Sequence, residues 1–116
     1  DVGRQAAVPG TDIEKLAASG KTGAMLCALL KKYRSGSFAE GLRMYDSCAI
    51  AYLLQPDLFE TADVFADIEL SGTLTAGCSV VDLDNLLQRK PNVTVLTSAD
   101  TKRFRTWFVK SLSKCI

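Results

Sequence analysis

Residues 41–59 read GLRMYDSCAIAYLLQPDLF, and the interpretation of the whole chain starts from this stretch. Asp46 stands directly before an apolar segment, Ser47 to Leu54, and Pro56 follows that segment. Asp is a favoured helix N-cap, and the residue before a proline avoids helical geometry. The pattern therefore predicts a helix with Asp46 as its cap that ends before Pro56. Because the segment is apolar on nearly every side, we expect this helix to be buried.

Two further helices are predicted upstream of this stretch. Thr11 or Asp12 is the expected N-cap of a short helix, and residues 22–33 repeat apolar side chains at helical spacing, which predicts one buried face. Residues 1–11 are predicted to be a strand end or a loop, and residues 35–41 a loop.

Downstream, the apolar period changes to that of β-strands. Residues 63–70, 78–83 and 92–96 are predicted strands, and a last helix is predicted to start at Thr97 or Ser98. The buried face of that helix is expected to consist of Phe104, Trp107, Phe108 and Leu112. Helices followed by three short strands and a closing amphipathic helix indicate an α/β fold.

The composition is that of one ordinary globular domain spanning residues 1–116. The 14 Lys and Arg residues nearly balance 13 Asp and Glu residues, so the net charge of +1 favours neither nucleic acid nor an anionic membrane as a partner. The chain contains no histidine. Catalysis by a Ser–His–Asp or Cys–His arrangement, and any His-ligated metal site, are therefore excluded within it.

The four cysteines, Cys27, Cys48, Cys78 and Cys115, form no C-x-x-C pair. The first ten residues do not resemble a secretory leader, so we expect reduced, mostly buried thiols and a cytoplasmic protein. Cys48 is interpreted as a small buried hydrophobe rather than a nucleophile. The longest apolar run, residues 48–54, is far shorter than the about 20 residues that a membrane helix needs.

Residues 41–59 resemble the C-terminal signature of the nucleoside hydrolases, the calcium-dependent N-ribohydrolases. In that family a His-Asp pair opens a buried helix that ends in an A-Y-L-L-x-P-x-L-F pattern. Residues 33–37 and 41–44 resemble the branch that accepts both purine and pyrimidine ribonucleosides. Weaker similarity to the family lies in residues 1–6, 67–72, 75–77, 80–82 and 91–93.

The resemblance implies that the chain is the C-terminal part of an open, mostly parallel nucleoside-hydrolase sheet. The family's acidic D-x-D-x-x-x-D-D motif is missing, and Asp82-Leu83-Asp84 is the closest approach to it. The implied activity is cleavage of the N-glycosidic bond of ribonucleosides to ribose and free base, with a calcium-bound water as nucleophile. We expect the isolated chain to be inactive.

Two alternatives to the enzyme-segment interpretation stay open. The first is a truncated or degenerate relative that acts as a folded or assembly module without turnover. The second is a small nucleic-acid-binding module, and it rests on basic residues around Gly20. Those residues are Lys21, Lys31, Lys32 and Arg34. A solvated helix face explains them more simply, because no row of base-reading side chains accompanies them.

Three candidate site residues follow from the resemblance. Asp46 matches the family's C-terminal calcium-ligating aspartate, which also touches a ribose hydroxyl. Tyr45 occupies the place of the histidine that protonates the leaving base, and a phenol with a pKa near 10 is a poorer proton source at neutral pH. Tyr33 lies in the segment that folds over the nucleobase in the family. The structural alternatives are a helix cap for Asp46 and simple packing for Tyr45 and Tyr33.

Calcium and the binding partners also follow from the resemblance. Ca²⁺ takes 6–8 oxygen ligands, so we expect calcium in a complete family enzyme and weak or absent binding by this chain alone. The expected partners are a ribonucleoside substrate and either another copy of the chain or a complementary N-terminal segment. We expect association through the part of the apolar helix that contains Ile50, Tyr52, Leu53 and Leu54.

Overall fold

A computed structural model describes residues 1–33 and 36–115 of the chain. The described elements, in chain order, are α1 (Val2–Gln5), β1 (Ala7–Val8), α2 (Gly10–Ala17), α3 (Lys21–Lys31), β2 (Gly36–Ser37), β3 (Gly41–Arg43), α4 (Tyr45–Leu54), a 3₁₀ turn (Pro56–Leu58), β4 (Phe59–Ile68), β5 (Ser79–Asp82), β6 (Val93–Ala99) and α5 (Thr101–Leu112). The chain divides into two compact units. The first combines Asp1–Phe59 with the residues from Ser98 onward, and the second is Glu60–Thr97.

A small antiparallel sheet with strand order β1-β3-β2 organises the first unit. Helices α2 and α3 pack against each other, and Gly23 lies at their closest approach. A β-carbon on Gly23 would lie 1.8 Å from the carbonyl oxygen of Leu16, so only glycine allows the two helices to come this close. Ile13 and Leu16 of α2 are fully buried on the same side of the unit.

Aromatic packing joins α5 to the chain after α4. Phe104 is completely buried, and its ring centre lies 6.3 Å from that of Phe59, 5.7 Å from that of Trp107 and 6.2 Å from that of Phe108. Edge contacts and offset stacking at these separations add to the stabilisation from buried area. The guanidinium of Arg105 donates to the carbonyl oxygen of Ala7 over 2.8 Å, which attaches α5 to β1 as well.

The second unit contains a sheet with strand order β5-β4-β6, in which β4 and β5 are antiparallel. Strand β4 pairs with β5 in a register that runs from Phe65 opposite Asp82 to Ile68 opposite Ser79. On the other side of β4, the amide of Asn92 bonds to both the N–H and the carbonyl of Ala66, at 2.8 and 2.9 Å. Val64 is the one buried apolar residue of this unit among those described, so its sheet covers little core.

The predicted fold class is confirmed, with four helices and three strands close to their expected positions. Residues 1–11, predicted to be a strand end or a loop, contain α1 and β1, and the predicted loop at 35–41 contains β2. Ser35 itself lies outside the described residues. The strand pairs with a defined register are antiparallel, although the resemblance implies a mostly parallel sheet for the complete fold. The connections from β2 to β3 and from β4 to β5 are short, and parallel neighbours need a crossover of a dozen residues or more.

Three finer predictions are wrong. The last helix begins at Thr101 rather than at Thr97 or Ser98, because β6 extends to Ala99 and the carboxylate of Asp100 caps the helix by accepting from the amide of Arg103. Helix α2 begins at Gly10, one residue after Pro9, so neither Thr11 nor Asp12 is its cap. Helix α4 is only partly buried, with Cys48 and Ala51 on its covered side.

The thiols divide evenly between core and surface. Cys27 and Cys48 are buried, whereas Cys78 and Cys115 are exposed, and all four are free. The expectation of mostly buried thiols is therefore wrong for two of them. Within residues 1–33 and 36–115, no helix combines the length and the apolar character that crossing a bilayer requires.

Candidate functional site

The first turn of α4 carries the two principal candidate residues, Tyr45 and Asp46. Strand β3 delivers the chain to this turn: Val8 of β1 lies opposite Leu42 of β3, and the amide of Met44 donates to the carbonyl oxygen of Ala6 over 3.1 Å. Leu42 and Met44 are buried, so the backbone just before Tyr45 is fixed by both pairing and packing.

Tyr45 packs on the backbone of α1. A β-carbon built on Gly3 would lie 2.0 Å from Cδ1 of Tyr45 and 2.9 Å from its Cγ, so the ring lies directly against the glycine. The side chain nevertheless keeps 37% of its surface exposed. This geometry supports the packing interpretation of Tyr45.

Asp46 is the second residue of α4 and not its cap. Met44 occupies the N-cap position, and no side chain there bonds to the helix. The predicted capping role of Asp46 is therefore wrong, because β3 runs straight into the helix one residue earlier. An acidic side chain in the first turn of a helix is still favoured by the helix dipole. The carboxylate is exposed, and no other side chain in the described part of the chain makes a hydrogen bond or an ion pair with it.

No metal site is complete within the described residues. Residues 1–33 and 36–115 contain no group of three or more Cys, Asp or Glu side chains that would hold an ion. Because Ca²⁺ takes 6–8 oxygens, one carboxylate does not fit the requirement of a calcium site. The carboxylate of Asp46 is an oxygen ligand of the kind that calcium takes.

Three acidic residues of the second unit, Asp63, Glu69 and Asp82, hold turns and strands in place. Thr94 donates to Asp63 over 2.5 Å, and the amides of Ser71 and Gly72 donate to Glu69 over 2.8 and 3.1 Å. These backbone bonds hold the pKa of Glu69 below its usual range. Asp82 accepts from two consecutive amides of the following turn. These interactions give the acidic side chains a structural role.

Tyr33 lies on a different element from the other two candidates. It follows the last turn of α3, its amide donates to the carbonyl oxygen of Leu30 over 3.1 Å, and its side chain is exposed. The similarity at residues 33–37 continues through Arg34 and Ser35, which lie outside the described residues. The structure thus brings Tyr45 and Asp46 together on one turn and leaves Tyr33 at the end of another helix.

Sequence reasoning did not find two features of this unit. The first is the contact of Tyr45 with the backbone of Gly3. The glycine at position 3, within the predicted strand end or loop, was the one sequence feature that could have indicated this close approach. Arg103 forms an ion pair with Asp57 just after α4 and also donates to the carbonyl oxygen of Asp57 over 3.1 Å. The hydrogen bond from Arg103 holds the pKa of Asp57 below its ordinary value.

The structure agrees with the interpretation of Cys48 as a small buried hydrophobe. It is buried one turn into α4, and its thiol donates to the carbonyl oxygen of Met44 over 3.2 Å. Burial raises the pKa of this thiol. A raised pKa disfavours the thiolate, so the environment is that of a structural cysteine.

Part of the basic surface near Gly20 has a structural explanation. Lys31 lies 3.5 Å from a carboxylate oxygen of Glu14 and 5.6 Å from the ring centre of Phe38. Both contacts hold this cation against its own unit. Arg34, which belongs to the same basic set, lies outside the described residues.

The sequence comparisons agree with one another. The family model for inosine-uridine preferring nucleoside hydrolases matches residues 1–106. Non-specific ribonucleoside hydrolase RihC of Escherichia fergusonii is 43% identical over 114 residues, which cover 98% of this chain and 38% of the relative. RihC of Escherichia coli K12 is 42% identical over 113 residues, covering 97% of this chain and 37% of the relative. The chain therefore spans well under half the length of these relatives.

Solved structures show the same fold at low sequence identity. A purine-preferring ribonucleoside hydrolase from Gardnerella vaginalis matches with a TM-score of 0.74 at 20% identity, over 97% of this chain and 37% of that structure. The plant nucleoside hydrolase PpNRh1 matches with a TM-score of 0.77 at 18% identity, over 97% of this chain and 39% of that structure.

Proposed function

The chain belongs to the inosine-uridine preferring nucleoside hydrolase family, and we propose that it supplies the C-terminal portion of a ribonucleoside hydrolase active site. The proposed reaction of the completed enzyme is hydrolysis of the N-glycosidic bond of ribonucleosides to ribose and free base. The non-specific activity in the names of the relatives supports both purine and pyrimidine nucleosides as substrates.

One observation carries this proposal. Asp46, which the resemblance of residues 41–59 matches to the family's aspartate, lies on the exposed first turn of α4, and no described side chain neutralises it. A solvent-facing carboxylate that holds nothing in its own chain is available to a ligand. Asp63, Glu69 and Asp82 of the second unit are, by contrast, engaged in turns and strands.

Each candidate residue has a proposed role in the completed site, and Asp46 has two. Asp46 would offer one oxygen to a calcium ion and would accept a hydrogen bond from a ribose hydroxyl. Tyr45 lies next to the leaving base, where its hydroxyl donates a hydrogen bond but is a weak proton source at neutral pH. Tyr33 stacks against the base from the end of α3. Orientation of the ribose by Asp46 is the contribution that this chain makes to the rate.

The proposal requires a second polypeptide portion, and we propose that the isolated chain does not turn over substrate. The ligand set is incomplete in the described residues, and calcium coordination needs several more oxygens. We also propose a cytoplasmic location, which the four free thiols support because disulfides are rare in reducing compartments.

The test is a fusion of this chain to the N-terminal part of Escherichia coli RihC that it does not match. Release of base from inosine and uridine is measured in the presence of calcium, for the fusion and for the chain alone. We expect turnover by the fusion only, and a loss of about 100-fold in Asp46→Asn, comparable to losing an important partner of a bound metal. Asp84→Asn, an exposed carboxylate in the second unit, is the matched control and should leave the rate unchanged. Turnover that does not depend on Asp46 would contradict the proposal.

A second candidate function is a non-catalytic module, and the packing of Tyr45 on Gly3 favours it. A side chain retained for packing does not need to donate a proton. Tyr45→His in the fusion separates the two functions. If Tyr45→His hydrolyses nucleosides faster than the unaltered fusion, with a pH dependence near the imidazole pKa of about 6.5, then the site is catalytic and Tyr45 alone limits its rate. No turnover by any fusion favours the module.

A further inference from the structure

A groove of the first unit runs along the polar side of α5. Its volume is about 640 Å³, and small-molecule sites have volumes of about 300–1,000 Å³. Three lysines, Lys102, Lys110 and Lys114, line it together with Gln55 and Trp107. None of the three candidate site residues is part of its lining. The groove is therefore a separate feature of the surface.

The lysines of the groove have no acidic partner. Arg103, a fourth cation of the lining, is paired with Asp57. Within residues 1–33 and 36–115, no ion pair holds Lys102, Lys110 or Lys114. The described lining also contains no Asp or Glu side chain. A concave wall with one sign of charge and no counter-charge from the protein attracts an anion.

The dipole of α5 does not explain this distribution of lysines. Lys110 lies in the last turn, where the dipole favours a cation. Lys102 is the second residue of the helix, where the dipole disfavours one, and the first turn contains no acidic residue. The carboxylate of Asp100, just before the helix, is engaged with the amide of Arg103. Helix stability therefore gives no reason for a cation at position 102, and an anionic ligand does.

Trp107 gives the groove a planar aromatic surface beside the lysines. The residue is half-buried, and its ring is held by Phe104, whose ring centre lies 5.7 Å away. Gln55, exposed at the end of α4, adds an amide that both donates and accepts hydrogen bonds. A fixed indole next to cations is suited to stack on a nucleobase whose phosphates bind those cations.

We propose that this groove binds a nucleoside polyphosphate, with its base on Trp107 and its phosphates between Lys102 and Lys110. The two lysines stand at i and i+8, about 12 Å apart along the helix, with Thr106 between them. Each ammonium ends a flexible four-carbon stem, so both can reach a phosphate chain that lies between them. The inference does not rest on the proposed hydrolase function, because it uses none of the candidate site residues.

Two related anions match the groove less well. Inorganic polyphosphate would bind the lysines but would leave the ring of Trp107 without a contact. A single-stranded nucleic acid would continue past the groove, and the net charge of +1 provides no general attraction for a long polyanion. Both are outcomes that the experiment distinguishes.

The experiment uses Trp107 as its own reporter, because it is the one tryptophan in the sequence. Adenosine triphosphate, adenosine, inorganic tripolyphosphate and a single-stranded oligonucleotide are titrated into the intact chain at low salt without divalent metal. Indole fluorescence and calorimetry give the affinity for each. We expect saturable quenching by adenosine triphosphate. Adenosine and tripolyphosphate should each bind at least about tenfold more weakly, because each lacks one half of the contacts.

Two substitutions in the groove locate the binding site. Lys102→Gln and Lys110→Gln should each weaken adenosine triphosphate binding by about tenfold, because each removes a charge-assisted hydrogen bond to a phosphate. Lys21→Gln is the matched control: it removes an exposed lysine of α3 that does not line the groove, and it should bind normally. Circular dichroism checks the folding of each variant, and the comparison of ligands on the unaltered chain needs no variant.

Four results would overturn the inference. The first is the absence of saturable adenosine triphosphate binding. The second is equally tight binding of tripolyphosphate, because the groove would then recognise phosphate alone. Tighter binding of the oligonucleotide, dependent on the same lysines, would identify a nucleic-acid surface instead. An equal loss in Lys21→Gln would mean that the general charge of the chain, rather than the groove, holds the anion.

Discussion

Tyr45 shows how a single residue combines a packing role with a candidate chemical one. Its ring rests on the backbone of Gly3, which holds the start of α4 against α1, while part of the side chain faces solvent. Asp46 follows it on the same turn and is exposed. The orientation of this turn therefore depends on a contact between Tyr45 and a residue that has no side chain of its own.

The substitution Gly3→Ala should destabilise the chain through this contact. The added methyl group would lie 2.0 Å from Cδ1 of Tyr45, so the ring must rotate or the helix must shift. Forced overpacking of this kind costs about 1–3 kcal/mol of unfolding free energy. Urea denaturation provides the measurement.

The control for this prediction is the same substitution in a Tyr45→Ala background, where the methyl group has space. The penalty should largely disappear there, because the two positions are coupled through one contact. An equal loss in both backgrounds would show that Gly3 matters for its backbone rather than for the ring.

The sequence predicted which residues belong to the candidate site but not their local geometry. The apolar run after Asp46 correctly indicated α4 and its end before Pro56. Asp46 was wrongly predicted as the N-cap, because the start of α4 depends on β3, whose register is set by pairing with β1 far away in the sequence. The contact between Gly3 and Tyr45 is equally non-local, and no periodicity within either segment predicts it.

At the scale of elements, the long periodic segments were predictable and the short paired ones were not. Helices α2 to α5 and strands β4 to β6 repeat apolar residues over enough positions to define a period. Strands β1, β2 and β3 span two or three residues each and exist because they pair with one another. The start of α5 is a similar case, because β6 continues until Asp100 caps the helix.

The ion pair between Asp57 and Arg103 predicts a pH dependence for the attachment of α5. The hydrogen bond from Arg103 lowers the pKa of Asp57 from its ordinary value of 3.8. A carboxyl with a lower pKa in the folded state stabilises that state above pH 3.8, and this stabilisation is lost as the pH falls through the folded-state pKa. Asp57→Asn should therefore unfold at lower urea concentration than the unaltered chain at pH 7, with the difference shrinking below pH 3.8.

The matched control for this series is Asp84→Asn, which removes an exposed carboxylate of the second unit. Its unfolding midpoint should follow that of the unaltered chain at every pH. A constant difference between Asp57→Asn and the unaltered chain across the acid range would mean that the side chain of Asp57 acts through packing rather than charge.

At the scale of the whole molecule, the chain matches one part of the fold of larger nucleoside hydrolase structures. The match includes 97% of this chain but only 37–39% of the solved structures. The first unit buries neither α4 nor α5 completely, and Leu53 and Leu54 of α4 remain exposed. The burial of α4 was mispredicted because an apolar sequence indicates that a face needs a partner, without showing whether the same chain provides it.

Calcium should bind the isolated chain only weakly, and this prediction tests the incompleteness of the site directly. The described residues provide no cluster of acidic ligands, and a lone carboxylate with water resembles at best the millimolar end of calcium sites. A ligand that binds only the folded state stabilises it by about 2.7 kcal/mol at 100 times its Kd. A site with a Kd of about 10 μM would therefore raise the unfolding free energy by that amount in 1 mM calcium. We expect the same urea midpoint in calcium and in chelator, and no difference between the unaltered chain and Asp46→Asn. A calcium-dependent shift that Asp46→Asn abolishes would mean that the chain holds a complete site, with ligands among the residues that the structure assigns to turns.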